Sequence, residues 1–515
     1  MSDAPKSRRR SGGRAARTAA RSQKLDVDKR PVRPGLPGGQ YRPLSEVDVA
    51  RINEAALTAL EEIGFASAPP SGVEILTGAG AIMGDDGRIR FPRALVEDML
   101  AIAARGITLC GRDPAHDISL QGTNTHFGTA GAAVHMVNVD TGDYREPSMQ
   151  DLYDAARIVE SLDNLHFFQR PVVCREFEDN LELDLHTLYA ACAGTTKHVG
   201  TSFTEAANVG PCLELLHEIA GGEDAFRARP FVSNSNCFVV PPLTFAEESC
   251  EVMEACIHGG MPVLLLSAGQ AGATAPAPIA TAVVQAVAEC LAAVVYVNAL
   301  APGHTAMFGT WPFVSDLRTG AMSGGSGEQA LLTAACAQMH QFYGLPGGAA
   351  AGIADSKLPD MQAGWEQAIS NVMAGLAGLN MVYEAAGMHA SLMGFCFESL
   401  VLGNDMLGQV QRCVRGVEVL EEYVSIETMK SVVLDGPGHY LGHDQTLRLM
   451  QSEYIYPEIA DRSSPKEWVE KGKPLLIDNA KARVAAILGR DGHKFTDTQE
   501  AALRARFDLR PLSRP

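Results

Sequence analysis

From about residue 126 the hydrophobic and polar positions fall into a rhythm. A short apolar run is followed by a small or polar break, then by a longer stretch with apolar residues at helical spacing. THFGTAGAAVHMV opens the series as a strand pair. HFFQRPVV (166–173), HVGTSF (198–203), FVSNSNCFVV (231–240), PVLLLSAG (262–269), HTAMFG (304–309), PGGAAAG (346–352) and MHASLMG (388–394) follow as predicted strands. Helical spacing is predicted between them over 149–161, 180–195, 206–220, 244–259, 278–301, a stretch starting near 328, and 360–386. Eight strands alternating with helices predict an eight-stranded (β/α)8 TIM-type barrel over residues 126–403. An open doubly wound sheet is the alternative. No GxGxxG turn follows the first strand, which favours the barrel.

The flanks read differently. Residues 1–43 form a basic tail, expected to be disordered, with Arg8, Arg9, Arg10, Arg14, Arg17, Arg21 and Lys24 followed by a Pro/Gly-rich stretch. Residues 44–125 predict an N-terminal α/β appendage. It opens with a helix over 45–62 that Ser45 can cap and in which Val47, Ile52, Ala55, Ala56 and Leu60 recur at helical spacing. Residues 404–515 predict a C-terminal helical extension packed on the barrel.

The totals narrow the class. The chain has 515 residues, 46% hydrophobic, with mean hydropathy near zero, enough for a large buried core. Its net charge is −18 although the tail is basic, so the body is acidic and nucleic acid is not expected as a partner. The tail lacks an apolar segment of the secretory kind. The most apolar run, 279–300, holds Gln285 and Glu289 and suits a packed helix better than a membrane span. Eleven scattered cysteines without a CxxC fit a reducing compartment, so a cytoplasmic protein is expected.

Candidate chemistry gathers at the strand ends, above all in the long loop after the sixth strand. There Trp311, Phe313, Asp316 and Arg318 stand among small residues. Phe308, Arg170, Asn234, Gln270, Asp355 and Phe395 join them at the ends of other strands. Singly each could be core or cap; together they predict a closed pocket for a small ligand. Aromatic faces beside a carboxylate suit a quaternary ammonium group, which cannot donate a hydrogen bond. An Arg or amide could hold a carboxylate at the ligand's other end. The Gly-rich loop lacks the Lys-Ser/Thr of a phosphate loop. His439, His443 and Asp444 are separated by glycines that break a chelating helix, so no bound metal is expected; Asp444 is expected to cap a helix over 446–454.

GQAGATAP (269–276), FGTWPFVSDLRTGAMSGGSGE (308–328), ADSKLPDMQAGWE (354–366), DLHTLYAACAGTTKH (184–198) and HYLGHDQTLRLMQSEYIYPEIADR (439–462) together resemble the trimethylamine methyltransferase family. The resemblance runs from about residue 44 to about 490, leaves the basic tail outside, and is nearer to members without pyrrolysine, such as glycine betaine:corrinoid methyltransferases. It implies a barrel enzyme that passes a methyl group from a quaternary amine to Co(I) of a corrinoid (cobalamin) held by a cognate corrinoid protein. A homo-oligomer is expected. Only ordinary residues occur here, and a quaternary amine already carries a neutral amine as leaving group. A non-catalytic quaternary-amine binding or sensing protein on the same barrel is the alternative.

Overall fold

The rhythm becomes a series of short parallel strands separated by helices. The structure, a computed structural model, describes residues 25–515. The run of arginines in the tail therefore lies outside the described residues. α1 (Glu46–Glu62) starts as its sequence predicts. The Ser45 side chain accepts from Asp48 N, and the Asp48 carboxylate accepts from Ser45 N.

The repeat then runs β1 (Asn124–Phe127), α2 (Met149–Glu160), β2 (Phe168–Gln169), α3 (Asn180–Gly194), β3 (Val199–Thr201), α4 (Ala206–Ala220) and β4 (Val232–Asn234). It continues through α5 (Glu247–His258), β5 (Val263–Ser267), α6 (Ile279–Leu300), β6 (Ala306–Thr310), α7 (Gly327–Tyr343), β7 (Gly348–Ala350), α8 (Met361–Ala377), β8 (Met381–Tyr383) and α9 (Phe397–Arg415). β2 to β6 form one parallel ladder in chain order, with Phe168 opposite Val199, Gly200 opposite Ser233, Asn234 opposite Val263 and Leu265 opposite Phe308. A second ladder pairs β7 with β8 and β8 with β1, all parallel, with Ala349 opposite Val382 and Met381 opposite His126. Single parallel bridges join Gly128 to Phe167 and Phe308 to Gly347. The result is a mixed α/β fold.

Strand alternation decides which side chains meet the helices. On β6, Phe308 packs 5.3 Å from the His340 ring of α7, and Thr310 bonds the same imidazole. On β5, Ser267 donates to Glu289 of α6. That carboxylate also accepts from Leu243 N and Gln285 Nε2, which is how an acid is tolerated inside so apolar a helix. By length and composition α6 could cross a membrane, yet it packs against α1, β5 and β6.

The opposite strand face is filled by large rings over glycines. A Cβ on Gly128 would lie 2.5 Å from the Phe167 ring, and one on Gly348 would lie 2.7 Å from the Tyr383 ring. Those two positions need a residue without a side chain.

The predicted helix over 360–386 ends at Ala377, and the last parallel strand is β8, not 388–394. Residues 388–389 and 394–395 instead pair as an antiparallel hairpin whose tip, Ala390, Ser391 and Leu392, has positive φ throughout. The short apolar run of β8 sits directly behind a long helix, so helical spacing masked it. Further on, His443 rather than Asp444 caps the helix Asp444–Leu449; its Nδ1 accepts from Gln445 N at 3.2 Å.

Internal contacts divide the chain into two units. Residues 34–415 and 457–515 form the larger and hold all the strands above. The other includes 416–456, with three short helices, Glu421–Val424, Glu427–Val433 and Asp444–Leu449.

One buried cation ties the end of α2 to the segment that leads into β3. Lys197 Nζ donates to Val159 O, Leu162 O and Leu165 O at 2.6, 2.8 and 2.6 Å. It satisfies carbonyls at and beyond the C-terminus of α2, where the helix dipole also favours a cation. Burial pulls its pKa down to about 8, still high enough to keep the proton at neutral pH. Lys197→Met should remove all three of these bonds, leave Leu165 O without its donor, and lower stability by about 1–3 kcal/mol. Urea denaturation measures this; a loss below about 1 kcal/mol would show the carbonyls do not depend on the ammonium.

Candidate functional site

Two rings at the carboxyl ends of parallel strands, Tyr383 and Trp311, meet with a third, Phe167, from just before β2. Tyr383, at the end of β8, lies 5.0 Å from the Phe167 ring and 5.1 Å from the Trp311 ring, centroid to centroid. Edge and tilted contacts of this kind add about 0.5–1.5 kcal/mol each beyond their burial. Trp311 is only 7% exposed, and its indole N–H finds no hydrogen-bond partner among the described residues. An apolar wall with one free donor is thus held where β6 ends.

A polar strip runs across the ends of β2, β3 and β4. Gln169 Nε2 donates to Ser235 Oγ, whose own hydroxyl donates to Thr201 O, and Ser202 Oγ lies 3.4 Å from Ser235 Oγ. The residue after Tyr383 is Glu384. It is buried, its Oε2 has no partner among the described residues, and burial pushes its pKa up to about 8. Its backbone is left-handed, with φ 59°, a conformation costly for a residue with a side chain and concentrated at functional sites.

The loops above these ends are stapled by Asp355. Its carboxylate accepts from Ser323 Oγ, in the loop after β6, at 2.8 Å, and from Ser391 Oγ, in the hairpin after β8. Its own N–H donates to Glu366 Oε2 at the start of α8. One side chain therefore ties loops that follow β6, β7 and β8.

The residues expected at the pocket are not all in one place. Trp311 and Asp355 stand at the strand ends as described. Phe313 pairs in register with Gln270, forming a small parallel extension over the ends of β5 and β6. Asp316 is taken up on the surface by Arg318, 2.6 Å away, which holds its pKa down to about 2. Phe308 faces α7, because it sits one residue out of phase with Met307 and Gly309 on β6. Asn234 is buried and donates to Asn236 Oδ1 at 2.6 Å. Arg170 follows β2; its Nε is buried without a partner among the described residues, and Asp184 opposes the lowering of its pKa by burial. Phe395 packs on Phe397 under the hairpin.

Sequence reasoning missed Phe167, Gln169, Tyr383 and Glu384. The first two lay inside a run read only as strand. The last two lay inside a run read as helix; a lone acid within MVYEAAG was the available signal.

Comparison with known proteins gives a consistent match. The family model described as trimethylamine methyltransferase (MTTB) covers residues 9–509, so it reaches into the basic tail. A trimethylamine methyltransferase, MttB, of Desulfitobacterium hafniense is 28% identical over 445 residues, 86% of this chain and 88% of that protein. A glycine betaine methyltransferase of the same species is 28% identical over 435 residues, 84% and 89%. The crystal structure of the hydroxylamine MtmB complex aligns with a TM-score of 0.47 at 12% identity, over 89% of this chain and 96% of that one.

Two substitutions probe this geometry. Trp311→Phe keeps a ring against Tyr383 and removes an unpartnered buried donor, so stability should change by less than about 1 kcal/mol. A larger loss in thermal or urea unfolding would show that the indole N–H has a structural partner. Asp355→Ala should leave the circular dichroism spectrum intact while limited proteolysis cuts the 316–326 loop faster; unchanged cleavage would show the staple does not hold that loop.

Proposed function

The chain belongs to the trimethylamine methyltransferase family, and we propose that it moves a methyl group from a quaternary amine, glycine betaine or a related betaine, to the Co(I) of a corrinoid held by a separate protein. The observation that carries this reading is the Trp311–Tyr383 ring pair, with Glu384 buried next in line after Tyr383. Ring faces attract a cation by about 0.5–2 kcal/mol each and demand no hydrogen bond from it. A quaternary ammonium is such a cation. The two Desulfitobacterium relatives, named for a tertiary and a quaternary amine, are equally distant from this chain, so identity does not choose between substrates. The chemistry of the leaving group favours the quaternary one.

The strand series is read as a closed eight-stranded barrel. Two features support closure: the single parallel bridges at Gly128–Phe167 and Phe308–Gly347, and the meeting of Phe167, Tyr383 and Trp311 from strands that are not ladder neighbours. Active sites of such barrels lie at the carboxyl ends of the strands, where Tyr383 and Trp311 are.

In the reaction the carbon–nitrogen bond breaks with its electron pair left on nitrogen, and the methyl carbon becomes bonded to cobalt. The protein has no proton to deliver before that step. Its work is to aim the N–CH3 bond outward and keep water away, which the ring wall and the loops stapled by Asp355 can do. Rings hold the cation less tightly than an exposed carboxylate pair would. That matters because the positive charge is lost during transfer, and strong ground-state binding of it would slow the step. Gln169, Ser235 and Arg170 are the candidates to orient a carboxylate at the ligand's other end.

Purified protein, a corrinoid protein reduced to Co(I) and glycine betaine should give methyl-Co(III), seen as loss of the Co(I) absorbance, with dimethylglycine as the other product. Betaine binding with no methyl transfer would favour a sensing protein instead. Neither binding nor transfer with glycine betaine, carnitine or choline would overturn the reading.

A further inference from the structure

Glu384 occupies a position that costs the fold free energy. It is 1% exposed. A left-handed backbone strains a residue that carries a side chain, and a buried oxygen without a partner forfeits its hydration. The main chain on either side is fixed: Ala385 N donates to Gly128 O, and Ala351 N donates to Tyr383 O, both at 2.9 Å. These bonds fix the backbone of Glu384 just beyond the end of β8, next in sequence to Tyr383.

Nothing in the surrounding elements compensates its charge. On β8 the neighbouring Tyr383 phenol is kept protonated by burial. On β1, His126 is kept neutral by burial, its pKa lowered to about 4. β7 carries no titratable group. On α8, Glu366 accepts from Asp355 N and Ser356 N, and Asn371, which flanks Gly352, donates to Gln367 O and Ala385 O. In the hairpin, His389 is bonded to Ser399 and also held neutral by burial. No lysine, arginine or histidine contributes to the raised pKa of Glu384; desolvation alone does.

We propose that Glu384 is the counter-charge of the amine site, and that a quaternary ammonium group entering the strand ends displaces the carboxyl proton to solvent. This rests on the amine-binding reading above and adds to it the residue that balances the ligand's charge. The balance is simple: the O–H bond of Glu384 breaks, the proton passes to buffer, and the carboxylate remains beside the ammonium. No carbon bond changes. The exchange also moderates binding, because the attraction gained at neutral pH is offset by removal of the proton, which suits a site whose ligand must lose its charge in the reaction.

The sign of the pH dependence follows from linkage. The empty site holds the proton up to about pH 8, and the occupied site releases it at lower pH. Between those values the free protein carries more protons than the complex, so binding tightens as pH rises and levels off above about 8.

Isothermal titration calorimetry of the full chain with glycine betaine, in phosphate and in Tris at about pH 7, reads the proton directly. Nearly one proton should be released per ligand, and affinity should rise up to about tenfold between roughly pH 6.5 and 7.5. Glu384→Gln should bind with no proton release and no pH slope. The carbon isostere 3,3-dimethylbutanoate should release none from the wild-type protein, an arm that decides the matter even if the variant does not fold. Betaine binding without proton release, or the same release from Glu384→Gln, overturns the inference while leaving the amine-binding reading intact. Failure of glycine betaine, carnitine and choline alike to bind overturns both.

Discussion

Tyr383 has to lie in the space that Gly348 leaves open, between Phe167 and Trp311. That single packing constraint sets much of the rest. It requires two strands to carry glycine where rings cross over them, and it fixes the inward face of β8. Alternation then sends Phe308 and Thr310 toward α7 and brings the indole to the strand ends. Interiors this close-packed tolerate little displacement, so the wall is a rigid feature and not an adaptable one.

The buried polar groups of the fold differ in how fully they are partnered. Glu289, Lys197 and Asp184 are each surrounded by several donors or acceptors, as buried polar groups must be. Trp311 Nε1, Glu384 Oε2 and Arg170 Nε are not. All three stand at or just beyond the carboxyl ends of parallel strands. An indole N–H, a carboxyl oxygen and a guanidinium nitrogen thus meet no hydrogen-bond partner among the described residues, unlike the buried groups just named.

Much of the fold was legible. The helix begun by Ser45 and the strands up to β7 follow from apolar periodicity and from residues that start or stop helices. β8 was not legible, because a strand of a few residues directly behind a long helix shares its apolar character and tips no alternation. The candidate site was legible only in part. Trp311 and Asp355 were visible as aromatic and acidic residues in long loops. Asp316 was equally visible, yet Arg318 two residues on takes its charge. Phe308 was placed by its chemistry, but its direction depends on register, and one residue turns a side chain to the other face. Glu384 could not be found without β8, since its meaning lies in being an acid at a strand end.

The resemblance carried by the motifs and the family match agree on the chemistry class, and the ring wall supplies a physical reason for an amine bearing a fixed positive charge. A crystal structure of the protein with glycine betaine bound tests that account most directly. The account predicts the trimethylammonium group in van der Waals contact with the Trp311 and Tyr383 rings, with the Glu384 carboxyl facing it. Ligand bound at the amino ends of the strands, or with its carboxylate rather than its ammonium against those rings, would contradict it.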